Sequence, residues 1–162
     1  MVFKRSFVFV CIGALLVVLS SCWKDKEVKT VGKMKGLVVV NVLNKSVFDD
    51  CHIKGSIHIP FTKVKEDAPK MIDKDAEVVL YCSNYMCSAS GAARKQLIGL
   101  GYKNVFVYEG GTAQWLQKGY PVNGSCKKTY LKVKIPKPPH AQQDYMLTAD
   151  QLKKKLEQSK KI

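Results

Sequence analysis

Apolar residues recur along this chain in short runs separated by polar, glycine-marked stretches. Leu37 to Val42 is rich in valine and apolar but for Asn41, the pattern of a strand buried on both faces. Val78 to Tyr81 is a second such run and leads at once into a polar loop. Ala89 to Leu100 then has helical spacing, with Ala92, Ala93, Leu97 and Leu100 sharing a face and Gly99 and Gly101 at its end. Val105 to Tyr108 predicts a third strand, after which Glu109-Gly110-Gly111 turns the chain into a segment holding Trp115 and Leu116. Short buried strands alternating with helices predict an α/β domain with a mostly parallel central sheet and helices on both faces. In such sheets, sites form beyond the carboxyl ends of the strands, and Cys82 stands at one of those ends.

The two termini have a different character. Lys4 and Arg5 form a positive start, and Phe7 to Leu19 is a nearly unbroken apolar stretch, shorter than the roughly 20 residues that a membrane span needs. It ends in Leu19-Ser20-Ser21-Cys22, which resembles the bacterial lipobox. That resemblance implies a signal peptide over residues 1–21, a diacylglycerol bearing acyl chains such as palmitate on the Cys22 thiol, and cleavage that makes Cys22 the new N-terminus. Each buried acyl carbon contributes about 0.8 kcal/mol, so several chains hold a protein at a membrane. Residues 22–35 read as a polar tether, 36–124 as the domain, and 125–162 as a basic, proline-containing tail. Within that tail Lys127 to His140 is expected to be extended, and Thr148 and Gln151 resemble the capping start of a helix whose Leu152 and Leu156 share a face.

The formal net charge of +14 favours anionic partners. Lysine greatly outnumbers arginine, however, and no basic run is interleaved with aromatics, so nucleic acid is not an expected partner. The expectation is a monomer in the bacterial cell envelope, lipid-anchored and facing the periplasm or the exterior.

Specific motifs add chemistry. His52-Ile53-Lys54-Gly55-Ser56-Ile57-His58-Ile59-Pro60 resembles the first signature of the rhodanese family, and the loop opening at Cys82 stands where that family has its active-site loop. Gly101-Tyr102-Lys103-Asn104-Val105 and Glu109-Gly110-Gly111-Thr112-Ala113-Gln114-Trp115 are similar to its closing signatures, and Pro121-Val122 to its usual domain end. These ordered signatures cover more than half the chain. The resemblance implies a sulfurtransferase cycle with a cysteine persulfide at Cys82, a small sulfur donor, a thiol acceptor, and no cofactor or metal. The family's opening strand and helix are missing ahead of Leu37, whereas Leu147 to Leu152 resembles them. A circular rearrangement, with the C-terminal strand and helix filling the vacant place, is one reading. A solvated basic tail or partner-binding helix is the other.

The active-site reading also stands on the residues themselves. A cysteine leaving a strand before a helix meets backbone N–H groups and the positive helix end, which favours its thiolate. The same cradle would stabilise the terminal sulfur of a persulfide. The loop is Cys82-Ser83-Asn84-Tyr85-Met86-Cys87-Ser88, with no charged residue, which weakens the case for thiosulfate as donor. Related phosphatases need a longer loop ending in arginine, and this loop does not fit that chemistry. Ser88 is placed to cap the following helix or to donate into the loop. Cys87 is either a resolving thiol for Cys82 or a small residue packing the loop's underside. His52 and His58 read as structural, and Cys51 and Cys126 are left as a pair whose bonding the sequence leaves open. Asn41-Val42-Leu43 stands in place of the family's Asp-Val-Arg and lacks its charged pair. Three functions follow: a persulfide-forming sulfurtransferase in the envelope, a thiol–disulfide protein using Cys82 and Cys87, or a non-catalytic partner-binding lipoprotein.

Overall fold

A computed structural model describes residues 32–137 and 143–160. The leader, Cys22 and most of the tether lie outside the described residues. Four parallel strands form the central sheet: β1 (Leu37–Asn41), β3 (Ile57–His58), β4 (Glu77–Tyr81) and β5 (Asn104–Tyr108). Their order is β3-β1-β4-β5, and β1 pairs in register with β4 from Leu37–Glu77 to Asn41–Tyr81. A two-stranded antiparallel ribbon, β2 (His52–Ile53) with β6 (Val122–Asn123), lies apart.

Period-two alternation sorts the strand side chains onto two faces. Val38, Val40, Val78 and Leu80 join Ala68, Ala93 and Leu97 of α2 (Val64–Met71) and α3 (Ala89–Gly99). Val39, Val79, Tyr81 and Tyr108 face the other way, onto Trp115 of α4 (Gly111–Gln117) and Ala149 and Leu152 of α5 (Ala149–Ser159). Burying a valine or leucine on either face contributes about 1.5–3 kcal/mol. The remaining helix, α1 (Lys45–Asp50), is capped by the side chain of Asn44, which accepts from the Val47 N–H.

Much of the tail is built into this body. Cys51 and Cys126 form a disulfide, with 4.6 Å between their Cα atoms. Asp50 reinforces the junction, accepting from the Lys127 and Lys128 N–H groups and the Ser125 hydroxyl. The expected extended stretch from Lys127 is interrupted by a 3-10 turn over Thr129–Lys132, because Leu131 finds a buried place and the Gln117 amide donates to the Leu131 and Val133 carbonyls. Residues 138–142 lie outside the described residues. Tyr145 to Leu147 then run parallel to β5: the Val107 N–H donates to the Tyr145 carbonyl at 2.8 Å, and the Leu147 N–H to the Val107 carbonyl at 2.8 Å. Thr148 and Gln151 form a reciprocal capping box, and α5 lies on the sheet with Leu152 fully buried. Lys118 pairs with Asp150, and the Arg94 guanidinium stacks 3.7 Å from the centre of the Tyr145 ring. The C-terminal strand and helix therefore complete one edge and one face of the domain.

Candidate active site

Cys82 follows the last residue of β4, and residues 83–88 lead into α3. The loop folds over itself through an Asn84 turn: the Asn84 side chain accepts from the Met86 N–H, and its carbonyl accepts from the Cys87 N–H. This turn pushes Met86 into solvent, 77% exposed, and returns Cys87 to the sulfur of Cys82. From below, the start of α4 holds the loop. The Thr112 N–H donates to the Cys82 carbonyl at 3.0 Å, and the Ala113 N–H to the Ser83 carbonyl at 2.9 Å. Gly111 makes that approach possible. It has φ of 61°, and a Cβ there would come within 2.6 Å of the Cys82 carbonyl oxygen, the Asn84 nitrogen and the Ser83 carbonyl carbon.

The two sulfurs differ in environment. Cys82 is fully buried, and its Sγ lies 3.1 Å from the Cys87 carbonyl oxygen and 3.6 Å from the Ser90 hydroxyl. The single S–H there has the Cys87 carbonyl and the Cys87 sulfur as alternative acceptors, and the Ser90 N–H donates to the Cys82 sulfur. Cys87 is half-buried and receives the Cys82 thiol as donor, together with the Ala89 and Ser83 N–H groups and the Ser83 hydroxyl. The Cys82 hydrogen bond and these donors, working against partial burial, pull the Cys87 pKa down to about 5. The same hydrogen bond and deeper burial push Cys82 up. The directions run opposite to the sequence expectation of a thiolate at Cys82: Cys82 is pushed up and Cys87 down, because Cys87 is nearer water and has more N–H donors.

Ser88 makes no side-chain cap bond to α3, with helical rather than extended backbone (φ −83°, ψ −5°), so the capping alternative for this residue fails. Ser90, which sequence reasoning passed over, is buried on the first turn of α3 and faces Cys82. A serine between small residues on the buried face of a helix was the available signal. Gly111 and Thr112 were legible as a signature, but not as the prop beneath the loop. His52 and His58 bond the Phe48 and Leu43 carbonyls, and both rings stack on Phe48. Asn41 is buried and caps its own turn by accepting from the Leu43 N–H. Among the described residues, no group of three or more His, Cys, Asp or Glu is placed to hold a metal ion.

Two clefts run beside the loop on its Asn84–Tyr85 side. One, of about 310 Å³, lies between those residues, α4 and residues 133–137 of the tail. The other, of about 220 Å³, lies between Tyr85, Gln114, Lys118 and residues 146–150. Lys134 and Lys137 line the first, so positive charge absent from the loop is brought alongside it by the tail.

The profile of the family described as Rhodanese-like domain matches residues 25–118. The chain is 29% identical over 83 residues to the thiosulfate sulfurtransferase GlpE of Coxiella burnetii, covering 51% of this chain and 75% of that protein. It is 30% identical over 89 residues to the thiosulfate sulfurtransferase GlpE of Pseudomonas entomophila, covering 55% of this chain and 78% of that one. The crystal structure of the BH2092 protein from Bacillus halodurans superposes with a TM-score of 0.53 at 30% identity, over 56% of this chain and 66% of that chain. A rhodanese-like domain from an Anabaena protein, at 22% identity and a TM-score of 0.52, covers 67% of this chain and 75% of that chain and shares the fold.

Proposed function

Because this chain belongs to the rhodanese-like domain family, we propose that it is a cell-envelope sulfurtransferase that carries sulfane sulfur as a persulfide resting on Cys82. Relatives named as thiosulfate sulfurtransferases support sulfur transfer as the general activity. The observation that carries the reading is the loop itself, which opens with Cys82 at the end of a parallel strand, folds the Cys87 carbonyl back to 3.1 Å from the Cys82 sulfur, and is held from below by α4. A persulfide on Cys82 is shielded from water by burial and keeps the Ser90 hydroxyl as a donor. Lys134 and Lys137 support an anionic donor, since cations beside a cleft raise the local concentration of anions.

The envelope location rests on the lipobox-like Leu19-Ser20-Ser21-Cys22 and is supported by the Cys51–Cys126 disulfide, a bond typical of oxidising compartments. Among the described residues no helix is long and apolar enough to cross a membrane. Fatty-acid labelling that is lost in Cys22→Ala checks the anchor.

The activity is tested by incubating the purified protein with thiosulfate or polysulfide and measuring intact mass, then adding cyanide and measuring thiocyanate. A gain of one sulfur, thiocyanate formation, and loss of both in the Cys82→Ser/Cys87→Ser double variant are expected. An unchanged mass with both donors refutes the reading. The contact between the two thiols also favours a second reading, thiol–disulfide exchange, which the same assay registers as a loss of two protons requiring both cysteines.

A further inference from the structure

We propose that the side of the domain carrying α4, α5 and the tail is a docking surface for an anionic phospholipid bilayer, with the tail as its principal contact. The inference goes beyond the sulfurtransferase reading, since it concerns how the domain sits at a membrane rather than what it transfers. Charge is distributed unevenly along the chain. Residues 36–124 carry ten basic and eight acidic residues, whereas residues 125–162 carry ten lysines against three acidic residues. The fold gathers that excess on one side. Both α4 and α5 pack on the sheet face formed by Val39, Val79 and Tyr81, and the 3-10 turn over Thr129–Lys132 lies against α4 through Gln117. Lys127, Lys132, Lys134, Lys154 and Lys160 are exposed there, and among the described residues none of them has a carboxylate partner. Asp150, Glu157 and Glu77 are instead paired with Lys118, Lys153 and Lys155.

The basic segment is held in place before any partner arrives. The Cys51–Cys126 disulfide, the Asp50 carboxylate, buried Leu131 and the Gln117 amide fix it to the body. Its backbone therefore needs little further ordering on binding. Within Lys132-Val133-Lys134 the valine is 50% exposed, an apolar side chain set between two lysines.

That chemistry fits a headgroup layer better than an acidic protein. Lysine is a point charge on a flexible stem, suited to a diffuse field of phosphates, whereas specific pairing with carboxylates favours the arginine fork. All five unpaired cations are lysines. An exposed apolar side chain among them can enter the boundary between headgroups and acyl chains. The anchor proposed at Cys22 supplies proximity, because residues 22–35 span at most roughly 50 Å when fully extended. Near an anionic surface each lysine multiplies the partitioning by about fivefold. Val133, Lys134 and Lys137 also line the cleft beside Tyr85, so docking turns that cleft towards the headgroups.

The test uses the full chain expressed with its own leader, purified in detergent and reconstituted on vesicles of phosphatidylcholine alone or of phosphatidylcholine and phosphatidylglycerol in equal parts. Acetylation by an uncharged ester is followed lysine by lysine with mass spectrometry. Lys127, Lys132, Lys134, Lys154 and Lys160 are expected to react at least about fivefold more slowly on the anionic vesicles. Lys65 and Lys95, exposed on the opposite side with α2 and α3, should react equally on both. The difference should vanish at 1 M salt, where charges are screened beyond about 3 Å. In the quadruple variant Lys127→Gln, Lys132→Gln, Lys154→Gln, Lys160→Gln, protection of Lys134 should be lost with the melting temperature unchanged. Equal rates on the two vesicles overturn the proposal and leave this face to an acidic protein, and protection that survives high salt or the quadruple variant overturns it as well. Flotation separates the surface from the anchor. A protein that floats with phosphatidylcholine yet shows equal rates keeps the anchor and loses the docking surface. One that floats only with the anionic vesicles, and only at low salt, loses the anchor and keeps the surface; one that floats with neither loses both.

Discussion

Gly111→Ala tests whether α4 props the loop, and a second glycine supplies its control. At Gly111 an added Cβ meets three backbone atoms at 2.5–2.6 Å, none of which can rotate away. Ordinary contact is about 3.5–4.0 Å, so α4 must retreat by about 1 Å. That retreat stretches the 3.0 and 2.9 Å bonds from Thr112 and Ala113 beyond hydrogen-bond range. The positive φ costs a non-glycine residue about 1–2 kcal/mol, and the overlap about 1–3 kcal/mol more. Gly119 has a similar φ of 69° with nothing within 4 Å of an added Cβ, so Gly119→Ala carries the first cost without the second. Urea unfolding should therefore show Gly111→Ala destabilised by about 2–5 kcal/mol and Gly119→Ala by about 1–2 kcal/mol. Sulfur loading in the folded fraction should fall only in Gly111→Ala, since only there is the carbonyl of Cys82 released. Equal effects of the two substitutions on both stability and loading would refute the argument.

Further outcomes follow from the tail and the thiols. Leu152→Ala should cost about 2–5 kcal/mol in chemical denaturation, because Leu152 is fully buried on the sheet; a cost near zero would mean that α5 is not part of the fold. Replacing Cys51 and Cys126 together by alanine should remove up to about 4 kcal/mol, given a sequence separation of 75, and the melting temperature of that variant should then ignore reductant. Alkylation of Cys87 should be half-maximal at about pH 5 and flat through neutrality, since the thiolate is the reacting form and folding lowers its pKa; acid below that midpoint switches it off. In urea the midpoint should move up to about 8.5, and a folded-state midpoint already there would count against the donor set around Cys87. Lys134→Ala with Lys137→Ala should raise the KM for thiosulfate by about three- to fivefold with kcat little changed, a loss matching about 1 kcal/mol of exposed charge attraction; an unchanged KM would separate the tail from donor binding.

Local pattern was sufficient for the parallel sheet and for placing Cys82 at the end of one of its strands. Valine-rich runs at β1 and β4 must be buried on both faces, and burial on both faces brings parallel strands with helices above and below. A cysteine directly after such a run is held at the sheet's carboxyl edge by chain connectivity alone, which is why Cys82 was visible without coordinates. The capping residues of α5 were legible for the same reason, because Thr148 and Gln151 act within one turn.

Contacts between distant segments were beyond that reach. The Cys51–Cys126 bond, the pairing of Tyr145–Leu147 with β5 and the seat of Leu131 each join segments whose approach no local spacing encodes. The difference in environment between the two thiols was hidden for a related reason. Sequence places both cysteines in one loop before one helix, and a helix end favours charge on either. How deeply each sulfur is buried and how many N–H groups it meets depends on how the Asn84 turn folds and on where α4 presses from below. Charge is placed by solvation and hydrogen-bond direction, and those exist only once the chain has closed on itself.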